Sequence, residues 1–239
     1  MLYLTYAGYE VRKWWRDAMT RFMLIYPVMM GLIGRVLIPL AERQAGQSFA
    51  PYYHIILVGL GLVVARIAGA VVAFSILDDR DDNVLYSVKV APLSLEVFIG
   101  IKLALVFILG FFGAAFVLWF ADLMPLKAGT IFAIAFLAAF NGPITALLLN
   151  VLATNKVEGF AVMKGLGAFI FFPIASLFFH DAKEFIFAVE PGFWPAKAFA
   201  AQVTGGVFQL SSLAYYLIGL AYAVVLLFGV YGLFKRRVE

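Results

Sequence analysis

Five consecutive charged residues, Asp78-Asp79-Arg80-Asp81-Asp82, form the densest group of chemistry-bearing side chains in this 239-residue sequence. An aspartate run can hold Mg²⁺ and, through it, a diphosphate, which is what a membrane prenyltransferase requires. That chemistry needs a second aspartate cluster to share the metal, and the remaining acids are scattered. Other catalytic arrangements lack essential parts. There is no Gly-Lys dipeptide, so the P-loop cradle for nucleotide phosphates cannot form. His54 and His180 stand apart and make no His-Glu-x-x-His motif. Gly46-Gln47-Ser48-Phe49-Ala50 lacks the second glycine of a nucleophile elbow. Cysteine is absent, which removes thiol nucleophiles, thiolate metal sites and disulfides. No catalytic residue, metal or cofactor is therefore expected on this chain.

The elements around this run are apolar. Of the sequence, 64% is hydrophobic and only 13% charged, against roughly 25% charged in a soluble domain. Several continuous apolar runs reach the ~20 residues needed to cross a hydrocarbon core. Continuous rather than alternating runs mean helices, not a barrel. The expected fold is an all-α integral membrane protein, one domain over 1–239, with six spans at about 23–41, 53–77, 97–121, 128–153, 159–179 and 211–234. Six spans place both termini on one side. Twelve of the 18 Lys and Arg fall on that side and four on the other, with Arg35 and Arg66 inside the spans. The positive-inside rule then makes both termini and the 78–96 loop cytoplasmic, in the plasma membrane. The N-terminus has neither the charged start nor the cleavage site of a signal peptide. The net charge of +4 is too small and too spread to imply nucleic acid.

Three further segments position the island. Over 9–22, Val11, Trp14, Trp15, Ala18, Met19 and Phe22 recur at helical spacing with Arg12, Lys13, Arg16, Asp17 and Arg21 opposite, predicting an interfacial amphipathic helix. Gly61, Ala65, Gly69 and Ala73 make a small-xxx-small stripe on the second span, available for packing within the bundle or between subunits. Residues 180–210, broken at Glu190-Pro191-Gly192-Phe193-Trp194-Pro195, predict an interfacial or partly re-entrant cap with a short helix from Ala196 to Val203 and Pro195 at its first position.

The island itself reads as an acidic turn, a short helix from Val84 to Val90, a stop at Pro92, and Ser94 capping the third span with Glu96 in its first turn. Asp81, Asp82 and Asn83 are suited to cap the short helix. This arrangement resembles the permease subunits of type-2 ABC exporters, and among them small permeases of the fluoroquinolone-export type. The residues that carry the likeness are Asp79, Arg80, Asp81, Asp82, Leu85, Pro92, Leu93 and Ser94; Asn83-Val84 stands where the family often has Gly-Thr. The resemblance implies a half-permease that works as a dimer, coupled to two ABC ATPase subunits that carry the ATP and Mg²⁺. It assigns ATPase coupling to Asp79, Arg80, Asp81, Asp82, Leu85, Tyr86, Val88 and Pro92.

A guanidinium inside a span costs at least about 2.5–3.5 kcal/mol. Arg35 and Arg66 therefore either bond to backbone carbonyls and to Asn141 or Asn150, or line, together with those two asparagines, a water-accessible cavity for an anionic or zwitterionic amphiphile. No acid is expected at their depth in any span. Pro173 predicts a kink in the fifth span. A channel or a secondary transporter is the alternative function; inverted repeats and spans broken at the midplane would mark it, and neither is evident in the sequence.

Overall fold

The computed structural model describes residues 2–84 and 94–238. Among these there is no strand, and six helical stretches are long and apolar enough to cross a membrane. They are Ala18–Ala45, Ala50–Asp81, Leu95–Phe120, Ala128–Leu152, Lys156–Ser176 and Ser212–Arg237, each within a few residues of its expected bounds.

The second and fourth spans are the most enclosed, and the first, fifth and sixth turn most of their surface outward. In lipid no hydrophobic force drives helix against helix, so close backbone packing has to hold the bundle. Gly69 provides it: a Cβ there would collide with the carbonyl oxygen of Gly142 on the fourth span. Gly142 in turn lies against Ala65 and Val106, so the second, third and fourth spans meet backbone to backbone. The small-residue stripe is thus spent on packing within the chain at Ala65 and Gly69. Gly61 differs, because a Cβ there would meet nothing within 4 Å.

Three spans are interrupted, and proline accounts for each. The first contains a π-helical turn, Ile33–Leu37, ahead of Pro39. The fourth divides at Phe140, ahead of Pro143, and the fifth at residues 169–170, ahead of Pro173. In each case the proline lacks the N–H that would bond four residues back. The kink in the fifth span matches expectation. The break in the fourth corrects the reading of spans continuous at mid-depth.

The N-terminal helix runs Leu2–Arg16 and ends earlier than the expected 9–22 amphipathic helix. Asp17 is extended at ψ 124° and its carboxylate accepts the Thr20 N–H at 2.7 Å, which starts a new helix, Ala18–Leu24, leading into the first span. Of the expected apolar face Trp14 enters the core and Met19 packs against it, while Val11, Trp15 and Phe22 face outward.

On the opposite side, a 3₁₀ segment, Ala182–Val189, and a turn lead into an outer helix, Phe193–Val203. The helix starts before the expected Ala196, and Pro195 occupies its first turn rather than its first position. Phe193 and Phe199 are fully buried against the second, fourth and sixth spans, so this segment packs into the end of the bundle. A buried pair fixes it: Lys197 Nζ donates to Glu184 Oε2 and to the Phe179 carbonyl, both at 2.7 Å, and the Tyr215 hydroxyl donates to Glu184 Oε1. Burial pushes the Lys197 pKa below its ordinary value, against the pull of Glu184.

Candidate functional site

Asp79 ends the second span as the hub of a buried network. Its Oδ1 accepts from Lys13 Nζ of the N-terminal helix at 2.5 Å, and its Oδ2 lies 2.7 Å from Lys102 Nζ of the third span. Lys102, fully buried, also donates to Glu10 Oε2 at 2.7 Å and Ser75 Oγ at 2.8 Å. Tyr6 completes the group by donating to Glu10 Oε1 at 2.8 Å. Two ammonium groups and two carboxylates balance, which is the condition for burying charge at tolerable cost. Burial alone lowers the Lys13 pKa, but the hydrogen bond and charge of Asp79, with Glu10 and Asp78 behind it, outweigh this and leave it raised. Burial and then the Glu10 carboxylate push the Tyr6 hydroxyl up as well.

The rest of the acidic run divides by its surroundings. Asp78 pairs with Lys156 of the fifth span at 3.0 Å. Arg80 donates to the carbonyls of Ala153 at 3.3 Å and Asn150 at 3.5 Å, where the fourth span's dipole ends negative. Asp79 and Arg80, both expected to face an ATPase, are therefore engaged inside the chain, and Asp81 and Asp82 are the exposed members. Asn83, expected to cap the next helix, stands at φ +57°, the left-handed geometry that closes the preceding one. Leu85, Tyr86, Val88, Pro92 and Leu93 lie outside the described residues. Ser94 caps the third span as expected, accepting from Val97 N–H at 3.4 Å.

A second site lies at mid-depth. A cavity of about 240 Å³ is lined by Arg66, Asn141, Thr145, Leu166, Phe169 and Glu190, among others. Arg66 Nη2 donates to Glu190 Oε1, and Nη1 to the Leu166 carbonyl at 3.4 Å. The turn Glu190-Pro191-Gly192 brings the carboxylate to this depth. Gly192 allows it, since a Cβ there would press on Glu190 Oε2 at 2.7 Å and on Leu62 at 3.2 Å. The breaks in the fourth and fifth spans flank the same cavity through Asn141 and Phe169.

The four residues expected to share a cavity divide. Arg66 and Asn141 line it together; Asn141 also donates to the Ala138 carbonyl at 3.0 Å. Asn150 lies nearer the termini, where its amide donates to Ala73 and Ala146 carbonyls at 3.1 and 2.9 Å and staples the second span to the fourth. Arg35 is half-exposed, donates to the Phe120 carbonyl at 3.0 Å, and stands 5.1 Å over the Phe120 ring. Neither belongs to the Arg66 cavity. The expectation that Arg66 has no acid at its depth is also corrected, because Glu190 arrives from outside the spans.

Sequence reasoning missed Lys102, Glu10 and Glu190. Lys102 belongs by position to the terminus-side cations, yet it stands eight positions beyond Ser94, deep in an apolar run. Glu190 was visible as a lone acid within Phe-Ala-Val-Glu-Pro-Gly-Phe-Trp. In both cases the signal was one charge with no polar neighbour.

A family model described as "Fluoroquinolones export permease protein Rv2686c-like" matches residues 10–231, from the buried Glu10 through the sixth span. The chain belongs to that family. Two relatives from Mycobacterium tuberculosis are named "Fluoroquinolones export permease protein MT2760" (strain CDC 1551 / Oshkosh) and "Fluoroquinolones export permease protein Rv2686c" (strain ATCC 25618 / H37Rv). Each is 29% identical over 197 residues, 80% of this chain and 78% of the relative. The resemblance read from 78–96 is thus supported over most of the chain, and the protein is an integral membrane transport permease.

Proposed function

We propose that this permease is the membrane half of an ATP-driven exporter of ABC type, working as a dimer with two ATPase subunits on separate chains. On this reading ATP and Mg²⁺ bind the ATPases and the permease carries no cofactor. The termini and the 78–96 loop face the cytoplasm across the plasma membrane, as the Lys and Arg asymmetry favours.

The observation that carries the reading is the Asp79 network. The N-terminal helix, the end of the second span and the third span are tied by Lys13, Glu10, Asp79 and Lys102 close to where the second span ends and the third begins. A push on the segment between Asp82 and Ser94 would move all three together. Asp81 and Asp82 are exposed for contact with an ATPase, and Leu85, Tyr86, Val88 and Pro92 complete the proposed coupling surface. Asp79 and Arg80 act behind it, bracing the second span against the third and fourth. Cargo crosses by way of the mid-depth cavity, and the relatives' names put fluoroquinolones first among candidate cargoes.

Affinity isolation of the tagged permease from native membranes, followed by mass spectrometry, tests the partnership. An ABC ATPase that co-isolates and hydrolyses ATP faster with the permease present is the expected result. The secondary-transporter reading gains from one observation, the interruption of the fourth and fifth spans beside the cavity. Isolation without an ATPase, together with transport driven by an ion gradient, would favour it.

A further inference from the structure

The Arg66–Glu190 pair is placed on the wall of a void rather than in a packed interior. The cavity of about 240 Å³ has both residues in its lining, and a smaller void of about 90 Å³ shares Arg66, Thr145 and Leu166 with it. Glu190 is only 4% exposed, its Oε2 has no hydrogen-bond partner, and Arg66 Nε has none either. Apolar side chains, Ile144, Leu148, Leu166, Phe169 and Leu226, form most of the remaining wall. Each charge is held mainly by the other. A buried ion pair is tolerated only while both members are compensated, and separating them leaves two uncompensated charges in a low-dielectric site.

We propose that this pair is a zwitterion-binding site in which the ligand replaces the internal partner of each charge. A ligand anion takes the Arg66 guanidinium, a ligand ammonium takes the Glu190 carboxylate, and the apolar body of the ligand fills the void. The selectivity follows from charge balance. A purely anionic amphiphile leaves Glu190 buried and unpaired, and a purely cationic one leaves Arg66 in that state. Only a molecule carrying both charges opens the pair without stranding either. A zwitterionic lipid headgroup and a free amphiphile with a carboxylate and an amine share this chemistry. The inference rests on the reading of the cavity as the cargo path, but concerns binding alone.

The test uses the purified full-length permease in lipid nanodiscs, without any ATPase. Norfloxacin, its carboxylate ester and its N-acetylated amine supply a zwitterion, a cation and an anion on one ring system. Binding is followed by the probes' own fluorescence anisotropy. The wild type should bind norfloxacin about tenfold or more tighter than either derivative. The neutral double variant Arg66→Gln/Glu190→Gln strands no charge, slightly enlarges the void, and should bind all three within about twofold. Discs enriched in phosphatidylethanolamine rather than phosphatidylglycerol identify the source: competition with norfloxacin in the wild type marks a headgroup ligand, and its absence marks the free amphiphile, and either upholds the site. Equal binding of the three probes by the wild type, or a zwitterion preference retained by the folded double variant, overturns the proposal. ATP-dependent export that survives such a result would leave the transporter reading intact. A zwitterion preference without any ATPase partner would do the reverse.

Discussion

Lys102 and Glu10 are separated by 92 positions in sequence and by 2.7 Å in space, and both are buried. This contact joins a helix that precedes the first span to the interior of the third. Lys102 reaches Asp79 at the same time, so one ammonium group fastens three elements. The base of the bundle is therefore held by charge, whereas its middle is held by glycine contacts between backbones.

Lys102→Met should be among the most damaging single substitutions in the permease. It leaves Glu10 without its cation and Asp79 with Lys13 alone, and the loss of one member of a buried ionic group costs about 3–5 kcal/mol. Thermal unfolding in detergent measures it. Adding Glu10→Gln should restore part of the loss, because the stranded carboxylate is then neutral; additive losses in the double variant would show that the two do not act as a unit.

Gly69 and Gly61 are eight residues apart on one helix and should respond oppositely. Gly69→Ala forces the second span away from the Gly142 carbonyl and is expected to cost about 1–3 kcal/mol. Gly61→Ala meets nothing within 4 Å and should be neutral or stabilising by up to about 1 kcal/mol. Paired melting curves decide between them, and a large loss at Gly61 would place another surface against that face.

Stability should be flat near neutral pH and fall at both extremes. The Lys13 pKa is raised in the fold, so its contribution is complete below the ordinary lysine value near about 10.4 and fades as pH climbs through the raised one. The Asp17 pKa is lowered, chiefly by the Thr20 backbone N–H, so its contribution is complete above the ordinary aspartate value near about 3.9 and fades as pH falls through the lowered one. Asp17→Asn should soften the acid limb and Lys13→Met the alkaline limb in fluorimetric melts. Asp17→Ala removes the cap and should cost about 1 kcal/mol near neutral pH, a loss that shrinks in acid.

The double variant Leu85→Asp/Tyr86→Asp should insert and fold normally, yet separate ATP turnover from transport if the proposed coupling surface is right. ATPase activity and vesicle uptake, measured on one preparation, give the ratio that changes. An unchanged ratio would remove the 84–91 segment from the coupling path.

The six spans were legible because each is a continuous apolar run of membrane length, a signal independent of neighbouring elements. Ser94 was legible for a similar reason, since a cap depends on the next three residues. What sequence did not reveal were the partners. Arg66 announced itself by its cost in lipid, but Glu190 lies 124 positions away in a loop whose approach to the second span depends on Gly192 passing Leu62. Asn141 and Asn150, nine positions apart on one span, read alike in sequence. One lines the cavity and the other staples two spans, because nine residues at 3.6 per turn set them on opposite faces of the helix. Asp79 looked like its acidic neighbours until the third span brought Lys102 beside it.

Inside-out membrane vesicles carrying the permease and its co-isolated partner offer the most direct measurement of the central claim. Uptake of a fluoroquinolone is followed with ATP, with a non-hydrolysable analogue, and with ATP plus an ionophore that collapses ion gradients. The account predicts uptake with ATP alone, none with the analogue, and no loss on adding the ionophore. Uptake that proceeds without ATP hydrolysis and disappears with the ion gradient would contradict it.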